Sequence, residues 1–300
     1  MPHVVIYDTN EAGLGAIAAA KRLGHRVTFV DHVGARFYAE SERNRRTVET
    51  ADRIVRREWL TRPEVALEVL QAIHRDETVD AALTTNELAV DPLARACAIV
   101  GIPFTDSAAV AGMVAAARER WGRIDVLVNN VGGSAKGGPV EMAEEVWDAQ
   151  VDFNLKSVFL TCKHVLPVMV ENGGGAIVNL ASTSGLRWTG AAQVAYAATK
   201  AGVIQLSKVV AVEYAPKGIR VNTVVPGQLH TPMVEARLAG QRAGGDVEAL
   251  LRDRVARIPL GFMGDGRDTA NAAVFLASDE ARFVTGTEIV VDGGMTARCD

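Results

Sequence analysis

The chain has 300 residues, of which 48% are hydrophobic and 23% charged, and its formal net charge is -4. That composition is typical of a globular protein, and with no dense Lys/Arg stripe the sequence argues against nucleic acid or an anionic membrane surface as partner. Three cysteines, Cys97, Cys162 and Cys299, lack paired spacing and a nearby histidine cluster, so we expect neither disulfides nor a metal site. Neither a signal-peptide pattern nor a bilayer-length apolar run is present, which favours a cytoplasmic location.

Short apolar segments alternate with longer helical patterns along the whole chain. Strand patterns occur in chain order at residues 4–7, 26–30, 81–84, 102–105, 124–129, 176–180, 220–225 and 288–291. Helical patterns occupy residues 12–23, 64–75, 88–100, 108–120, 143–170, 191–214 and 267–277. This alternation is typical of βαβ units. The sequence therefore predicts an α/β fold, a Rossmann-like doubly wound parallel sheet with helices on both faces and an atypical N-terminal third.

A phenol and an ammonium group lie four positions apart in one helical pattern, as Tyr196 and Lys200. Residues at that spacing share a helix face, so Lys200 would favour the phenolate form of Tyr196 and let it exchange a proton near neutral pH. A polar segment at residues 235–257 follows Thr231-Pro232. It is either a helical lid over a substrate or an ordinary surface insertion.

From about residue 106 to residue 300 the chain resembles the short-chain dehydrogenase/reductase family. The resemblance is carried by six motifs in the family order: residues 122–132 with Asn129-Asn130, Asn154-Leu155, residues 177–182, Tyr196-x-x-x-Lys200, Pro226-Gly227 with Thr231-Pro232, and residues 285–294. No single motif is specific, but the six together are. The resemblance implies an NAD(P)-dependent oxidoreductase that interconverts a secondary alcohol and a ketone, commonly as a homotetramer or dimer.

The resemblance also assigns roles to residues. Tyr196 would be the general acid/base, Lys200 would support it and bind the ribose beside the nicotinamide, and Asn154 would hold a proton-relay water where the helix is often distorted. Ser182 would donate a hydrogen bond to the reacting oxygen, with Thr183 and Ser184 as alternatives. The cofactor would further contact Asn130, Gly132, Leu229, Thr231, Tyr196 and Lys200. For the substrate, Arg187 or His230 could receive a carboxylate or polyol, and surface roles are equally open.

The first third departs from this pattern. The pyrophosphate turn of the family corresponds to residues 8–15, where Gly13 and Gly15 remain beside two carboxylates that would oppose a dianionic ligand. Asp31, at a strand end, would bind the adenosine ribose and slightly favour NAD over NADP, or it is a simple turn residue.

Residues 1–105 resemble instead the domain that precedes the ATP-grasp fold in carboxylate-amine ligases. The motifs are Tyr7-Asp8-Thr9-Asn10, residues 24–27 leading to Asp31, and residues 82–87 followed by a helix and Gly101-Ile102-Pro103. We expect this atypical segment and the catalytic region, residues 106–300, to share one continuous sheet. A catalytically impaired hybrid, acting as a binding or scaffold protein with a lost dinucleotide site, is the alternative function; a ligase is a poorer third because the catalytic body is missing.

Overall fold

A computed structural model of the chain describes residues 1–7, 14–33, 41–84, 87–102, 107–231 and 247–299. The chain forms two compact units. The first contains Met1–Asp106 and Ala143–Ala149, and the second contains Ser107–Met142 and Gln150–Asp300. Among the predicted site residues, Gly13 lies outside the described residues, as does most of the polar segment that follows Thr231.

The first unit contains a parallel sheet in the order β3-β2-β1-β4. Its strands are β1 (His3–Tyr7), β2 (Arg26–His32), β3 (Arg53–Arg57) and β4 (Ala81–Leu83), and its helices are α1 (Leu14–Arg22), α2 (Glu42–Glu49), α3 (Pro63–Asp76) and α4 (Glu87–Val100). Val5 and Tyr7 of β1 pack with α3 and α4, whereas Ile6 packs with α1 and α2. Because alternate strand residues point to opposite faces, helices cover both faces of this sheet.

The second unit contains a parallel sheet in the order β5-β6-β7-β8. Its strands are β5 (Val126–Asn129), β6 (Gly175–Leu180), β7 (Ile219–Pro226) and β8 (Glu288–Val291). The helices from residue 107 onward are α5 (Ser107–Trp121), α6 (Glu144–Val151), α7 (Ser157–Glu171), α8 (Val194–Tyr214), α9 (Val247–Val255) and α10 (Gly266–Ala277), and most of α6 lies in the segment Ala143–Ala149 of the first unit. Ile177 of β6 packs with α5, α7 and α8, and Val178 packs with α10, so this sheet is also covered on both faces.

These parallel sheets with helices confirm the predicted α/β fold class. Pairing among the described strands forms two four-stranded sheets. The expectation of one continuous sheet stays a prediction, because most of the predicted strand at the join, residues 102–105, lies outside the described residues.

Two elements of the first unit were not predicted from the sequence. β3 contains three arginines among its five residues, and α2 buries only Val48. Neither shows the apolar pattern on which the prediction depended. An outer strand tolerates charged side chains because one of its edges has no partner strand, and Ser41 caps α2 by accepting a hydrogen bond from the Asn44 amide.

The long helical pattern at residues 143–170 is divided in the structure. α6 ends at Val151, a π-helical turn covers Asp152–Lys156, and α7 begins at Ser157. Of the helices in the described ranges, none is long and apolar enough to cross a membrane. The same residues contain no group of three or more His, Cys, Asp or Glu side chains arranged to bind a metal ion.

Candidate active site

Tyr196 and Lys200 lie one turn apart near the start of α8, and the structure brings them together. The Lys200 Nζ is 5.7 Å from the centroid of the Tyr196 ring. The same Nζ donates a hydrogen bond of 2.9 Å to the carbonyl oxygen of Leu180, the last residue of β6. The proposed proton-transfer pair is therefore held at the carboxyl end of the second unit's sheet.

Lys200 is 3% exposed, and its burial lowers the pKa of the ammonium group to about 8. Within the part of the chain that the structure describes, the Leu180 carbonyl is its one hydrogen-bond acceptor, and no carboxylate pairs with it. An ammonium group has three N–H donors. Two of them thus remain for a bound ligand, and the positive charge stays close to the Tyr196 ring.

Asn154 occupies the π-helical turn and is fully buried. Its Oδ1 accepts a hydrogen bond of 2.9 Å from the Gly133 amide, while its Nδ2 donates one of 3.0 Å to the Gly133 carbonyl. Its Nδ2 also donates to Oε1 of Gln150, which in turn accepts from the Ala135 amide. Two buried amide side chains therefore bind the loop that follows β5.

Gln150 was missed in the sequence, although its spacing offered a signal. It precedes Asn154 by four residues, which places two amide side chains on one helix face. Such side chains in a helix interior indicate hydrogen bonds to neighbouring backbone. The predicted distortion of the helix at Asn154 is present as the π-helical turn, a feature that is frequent at functional sites.

Gly132 lies where the loop after β5 passes Lys200 and Asn154. A Cβ at Gly132 would be 2.8 Å from the Lys200 Nζ and 3.0 Å from the Asn154 Oδ1. Any side chain there would therefore displace one of these groups. Asn130, two residues earlier, is exposed at the end of β5.

Ser182 follows β6 and caps the helical turn Thr183–Gly185, its Oγ accepting a hydrogen bond of 3.2 Å from the Ser184 amide. The neighbouring hydroxyls are placed differently. Thr183 is buried, and the Ser184 Oγ bonds to Gln193 Nε2 at 2.7 Å and to Thr189 Oγ1. Ser182 is therefore the hydroxyl of the three whose proton is best able to reach a ligand.

The segment after β7 contains Leu229 and Thr231. Leu229 forms an isolated parallel bridge with Gly264, and both Leu229 and Thr231 are partly exposed. At the preceding turn, a Cβ at Gly227 would be 2.5 Å from the Asp292 Cβ, so the turn packs directly against the end of β8. Both residues thus lie just beyond the carboxyl end of β7.

The remaining cofactor candidates belong to the first unit. Gly15 lies in the first turn of α1, and a Cβ there would meet nothing within 4 Å. Asp31 lies in β2, is 3% exposed, and forms an ion pair of 3.3 Å with Arg56 of β3. Its carboxylate is therefore partly neutralised by a cation.

A chain of side-chain hydrogen bonds crosses the second unit beneath the proposed site. Thr161 donates to Asn129, Asn129 to Asn179 and Asn179 to Ser207, each at 2.8 Å. Ser207 then donates to the Val203 carbonyl. All four hydrogen bonds run in one direction, and they connect α7, β5 and β6 to the helix that carries Tyr196 and Lys200.

A family model described as Enoyl-(Acyl carrier protein) reductase matches residues 72–296, three quarters of the chain. A solved structure from Burkholderia xenovorans, described as a short-chain dehydrogenase/reductase, is 48% identical, covers 99% of this chain and 97% of that one, and superposes with a TM-score of 0.63. The chain belongs to the short-chain dehydrogenase/reductase family. It is thus an oxidoreductase of that family.

Other relatives and solved structures give the same picture. Oxidoreductase UcpA of Salmonella typhimurium is 42% identical over 200 residues, which are 67% of this chain and 76% of that protein. The 3-oxoacyl-[acyl-carrier-protein] reductase FabG of Thermotoga maritima is 41% identical over 191 residues, which are 64% of this chain and 74% of that protein. Levodione reductase is 28% identical, with a TM-score of 0.61. A second model, the ATP-grasp N-terminal domain, matches residues 17–104, in agreement with the other predicted resemblance.

Proposed function

We propose that this protein is an NAD(P)-dependent short-chain dehydrogenase/reductase that interconverts a secondary alcohol and a ketone. The observation that carries the proposal is the buried Lys200 beside Tyr196. An ammonium group that has lost water and faces no carboxylate exerts a strong field on a nearby phenol, because the local dielectric constant is low. That field favours the phenolate, the form that accepts a proton from an alcohol.

In this proposal the proton transfers use groups of this chain. In the reducing direction, Tyr196 donates its phenolic proton to the carbonyl oxygen as that oxygen gains negative charge. Ser182 donates a hydrogen bond to the same oxygen, which stabilises the charge during the transfer. In the oxidising direction, the Tyr196 phenolate accepts the hydroxyl proton. Asn154 keeps the loop at Gly133 in place and so preserves the shape of the site.

The residues present fit the nicotinamide end of a dinucleotide. Lys200 retains two N–H donors that would suit ribose hydroxyls, and the absence of a side chain at Gly132 allows the loop after β5 to lie close to Lys200 and Asn154. Asn130, Leu229 and Thr231 would complete the contacts from the loops after β5 and β7. When bound, the nicotinamide supplies or accepts the hydride.

For the adenosine end, the candidates remain those predicted from the sequence, Gly13, Gly15 and Asp31. A carboxylate at this position favours NAD, because it repels a 2′-phosphate. The ion pair with Arg56 weakens that repulsion, so the preference for NAD over NADP is expected to be small. Residues 1–105 would then be an atypical dinucleotide-binding segment preceding the catalytic region, residues 106–300. We further propose a cytoplasmic homo-oligomer, a dimer or tetramer.

Fluorescence titration with NADH and NADPH tests cofactor binding directly. We expect saturable binding of at least one of them below millimolar concentration; no binding of either would refute the proposal. The alternative, a scaffold protein with a lost dinucleotide site, predicts that negative result.

Turnover of a panel of secondary alcohols and ketones tests the chemistry. We expect activity that falls at least about 100-fold in Tyr196→Phe, the size of a lost general acid/base. Tyr214→Phe is a matched control, because Tyr214 lies on the same helix and its ring contacts Lys217 rather than Lys200. Equal effects of the two substitutions would contradict the role of Tyr196.

A further inference from the structure

Three segments of the second unit meet through arginine side chains. The site loop (Leu186–Gly190) lies between Ser182 and Tyr196 in the chain. The exit segment (Ala256–Leu260) follows α9, and the terminal turn (Asp292–Arg298) follows β8. They are far apart in the sequence, so only the tertiary structure reveals that they meet.

The hydrogen bonds form a closed ring. Arg187 of the site loop donates from Nη1 to the Thr296 carbonyl at 2.9 Å and to the Arg298 carbonyl at 2.6 Å. Arg298 of the terminal turn donates to the Ala256 carbonyl at 3.1 Å. Arg257 of the exit segment completes the ring with a bond of 3.4 Å to the Thr189 carbonyl.

The backbone of each segment is shaped to allow these contacts. Gly190 has a positive φ of 87°, which favours glycine, and a Cβ there would be 2.7 Å from Nη1 of Arg257, which would have to shift. In the terminal turn, Asp292 accepts hydrogen bonds from the amides of Gly294 and Thr296. The turn therefore presents its carbonyl groups to Arg187 from a fixed conformation.

The ring also reaches the residues around Ser182. The Thr189 hydroxyl bonds to the Ser184 Oγ at 3.2 Å, and Gln193 Nε2 donates to both hydroxyls. The Ser184 amide in turn donates a hydrogen bond to the Ser182 Oγ. Hydrogen bonds thus tie the site loop to the turn at Ser182 and to Gln193 as well as to the ring.

We propose that Arg187 is a positioning residue that fixes the site loop against the terminal turn and thereby sets substrate affinity. The proposal rests on the proposed function, because it assigns this loop to the wall of the substrate site. Arg187 is held through Nη1 by two backbone carbonyls of the terminal turn. The ring holds the neighbouring Trp188, whose side chain is 71% exposed and able to pack on a substrate. Substrates with a bulky apolar group are therefore the class that this wall favours.

The first test compares Arg187→Gln, Arg187→Lys and the control Arg282→Gln on the best substrate of the panel. Arg282 is an exposed arginine outside the ring. For Arg187→Gln we expect KM to rise about tenfold, because two hydrogen bonds from a charged donor are lost, with kcat and the Kd of the reduced cofactor unchanged. Arg187→Lys retains a charged donor and should restore part of the affinity. A fall in kcat without a change in KM, or an effect no larger than that of Arg282→Gln, would overturn the proposal.

A double-mutant cycle with Trp188→Ala tests whether Arg187 acts through the loop. Trp188→Ala alone should raise KM about as much as Arg187→Gln, and the double variant should add little, because both changes remove the same contact. Fully additive effects on KM would show that Arg187 does not act through the loop that carries Trp188.

Hydrogen exchange supplies a readout that needs no substrate. Amides of residues 183–190 should exchange about tenfold faster in Arg187→Gln than in the parent protein, because the loop opens more often. Unchanged exchange rates would show that the ring does not restrain the site loop, even if the enzyme is active. Absence of NADH and NADPH binding would instead refute the proposed function, so the two failures are distinguishable.

Discussion

Asn154 and Gly133 exchange two hydrogen bonds, one in each direction, between a buried side chain and the backbone of a loop. The amide group thereby satisfies both polar groups of Gly133, as a neighbouring strand would. The π-helical turn at Asp152–Lys156 contains Asn154, and the hydrogen bonds to Gly133 hold the loop after β5 beside Lys200. A local helix distortion is thus connected to the shape of the proposed site.

Asn154→Ala should destabilise the second unit by about 1–3 kcal/mol, because the Gly133 amide and carbonyl lose their partner while Asn154 leaves a buried position. Urea denaturation measures the loss. Asn172→Ala is the control, since the Asn172 side chain donates a long hydrogen bond of 3.4 Å to the Ile124 carbonyl and its loss should change stability by less than about 0.5 kcal/mol. Equal losses of stability would show that the two hydrogen bonds between Asn154 and Gly133 stabilise the protein no more than the side-chain hydrogen bond of Asn172.

Two adjacent glycines provide a matched pair for the space beside Lys200. Gly132→Ala places a Cβ 2.8 Å from the Lys200 Nζ, whereas the nearest atom to a Cβ at Gly133 is in the Phe153 ring at 3.5 Å, an ordinary contact. We expect Gly132→Ala to weaken NADH binding about tenfold or more, because Lys200 or Asn154 must move. Gly133→Ala should bind NADH nearly as the parent does. The reverse order would contradict a role in cofactor binding for the close approach of Gly132 to Lys200.

The buried Lys200 predicts a specific pH dependence of stability. Its pKa is about 8 in the folded protein and 10.5 in the unfolded chain. Below pH 8 both states carry the proton, and the full cost of burying the charge, about 3 kcal/mol, is present. Between pH 8 and 10.5 the unfolded state binds more protons, so the free energy of unfolding should rise with pH.

Lys200→Met removes that charge and tests the same point. In the absence of cofactor we expect the variant to be more stable at pH 7 by about 1–3 kcal/mol, without the rise above pH 8, and to be inactive. Chemical denaturation at several pH values measures both effects. Lys208→Met serves as the control, because Lys208 is paired with Glu288 and partly exposed. A Lys200→Met protein less stable than the parent at pH 7 would show that burial of this charge is not costly.

The hydrogen-bond chain beneath the site gives a fourth prediction. Asn179→Ala removes a partner from both Asn129 and Ser207, so we expect a loss of about 2–4 kcal/mol. Thr161→Val removes only the first donor of the chain and should cost about 1 kcal/mol. Thermal unfolding monitored by circular dichroism measures the difference. Similar losses in the two variants would mean that the two hydrogen bonds of Asn179 stabilise the protein no more than the one that Thr161 donates to Asn129.

Local features of the sequence were sufficient to predict much of this protein. Apolar periodicity indicated α/β architecture, and ordered motifs indicated the family, because strand and helix patterns reflect local burial. The four-residue spacing of Tyr196 and Lys200 predicted their contact. Prediction from these features failed where an element lacks an apolar pattern, as in β3 with its three arginines and α2 with one buried side chain.

Only the tertiary structure decided the relationships between distant segments. The pairing of strands into two sheets, the contact of Gln150 with Ala135 and the reach of Arg187 to Thr296 join residues whose separation leaves no periodic signal. The same holds for the lowered pKa of Lys200, because desolvation depends on everything packed around the ammonium group. The sequence by itself therefore determined which chemical groups are present and in which elements, whereas packing decided which backbone groups they bind and how strongly their charges act.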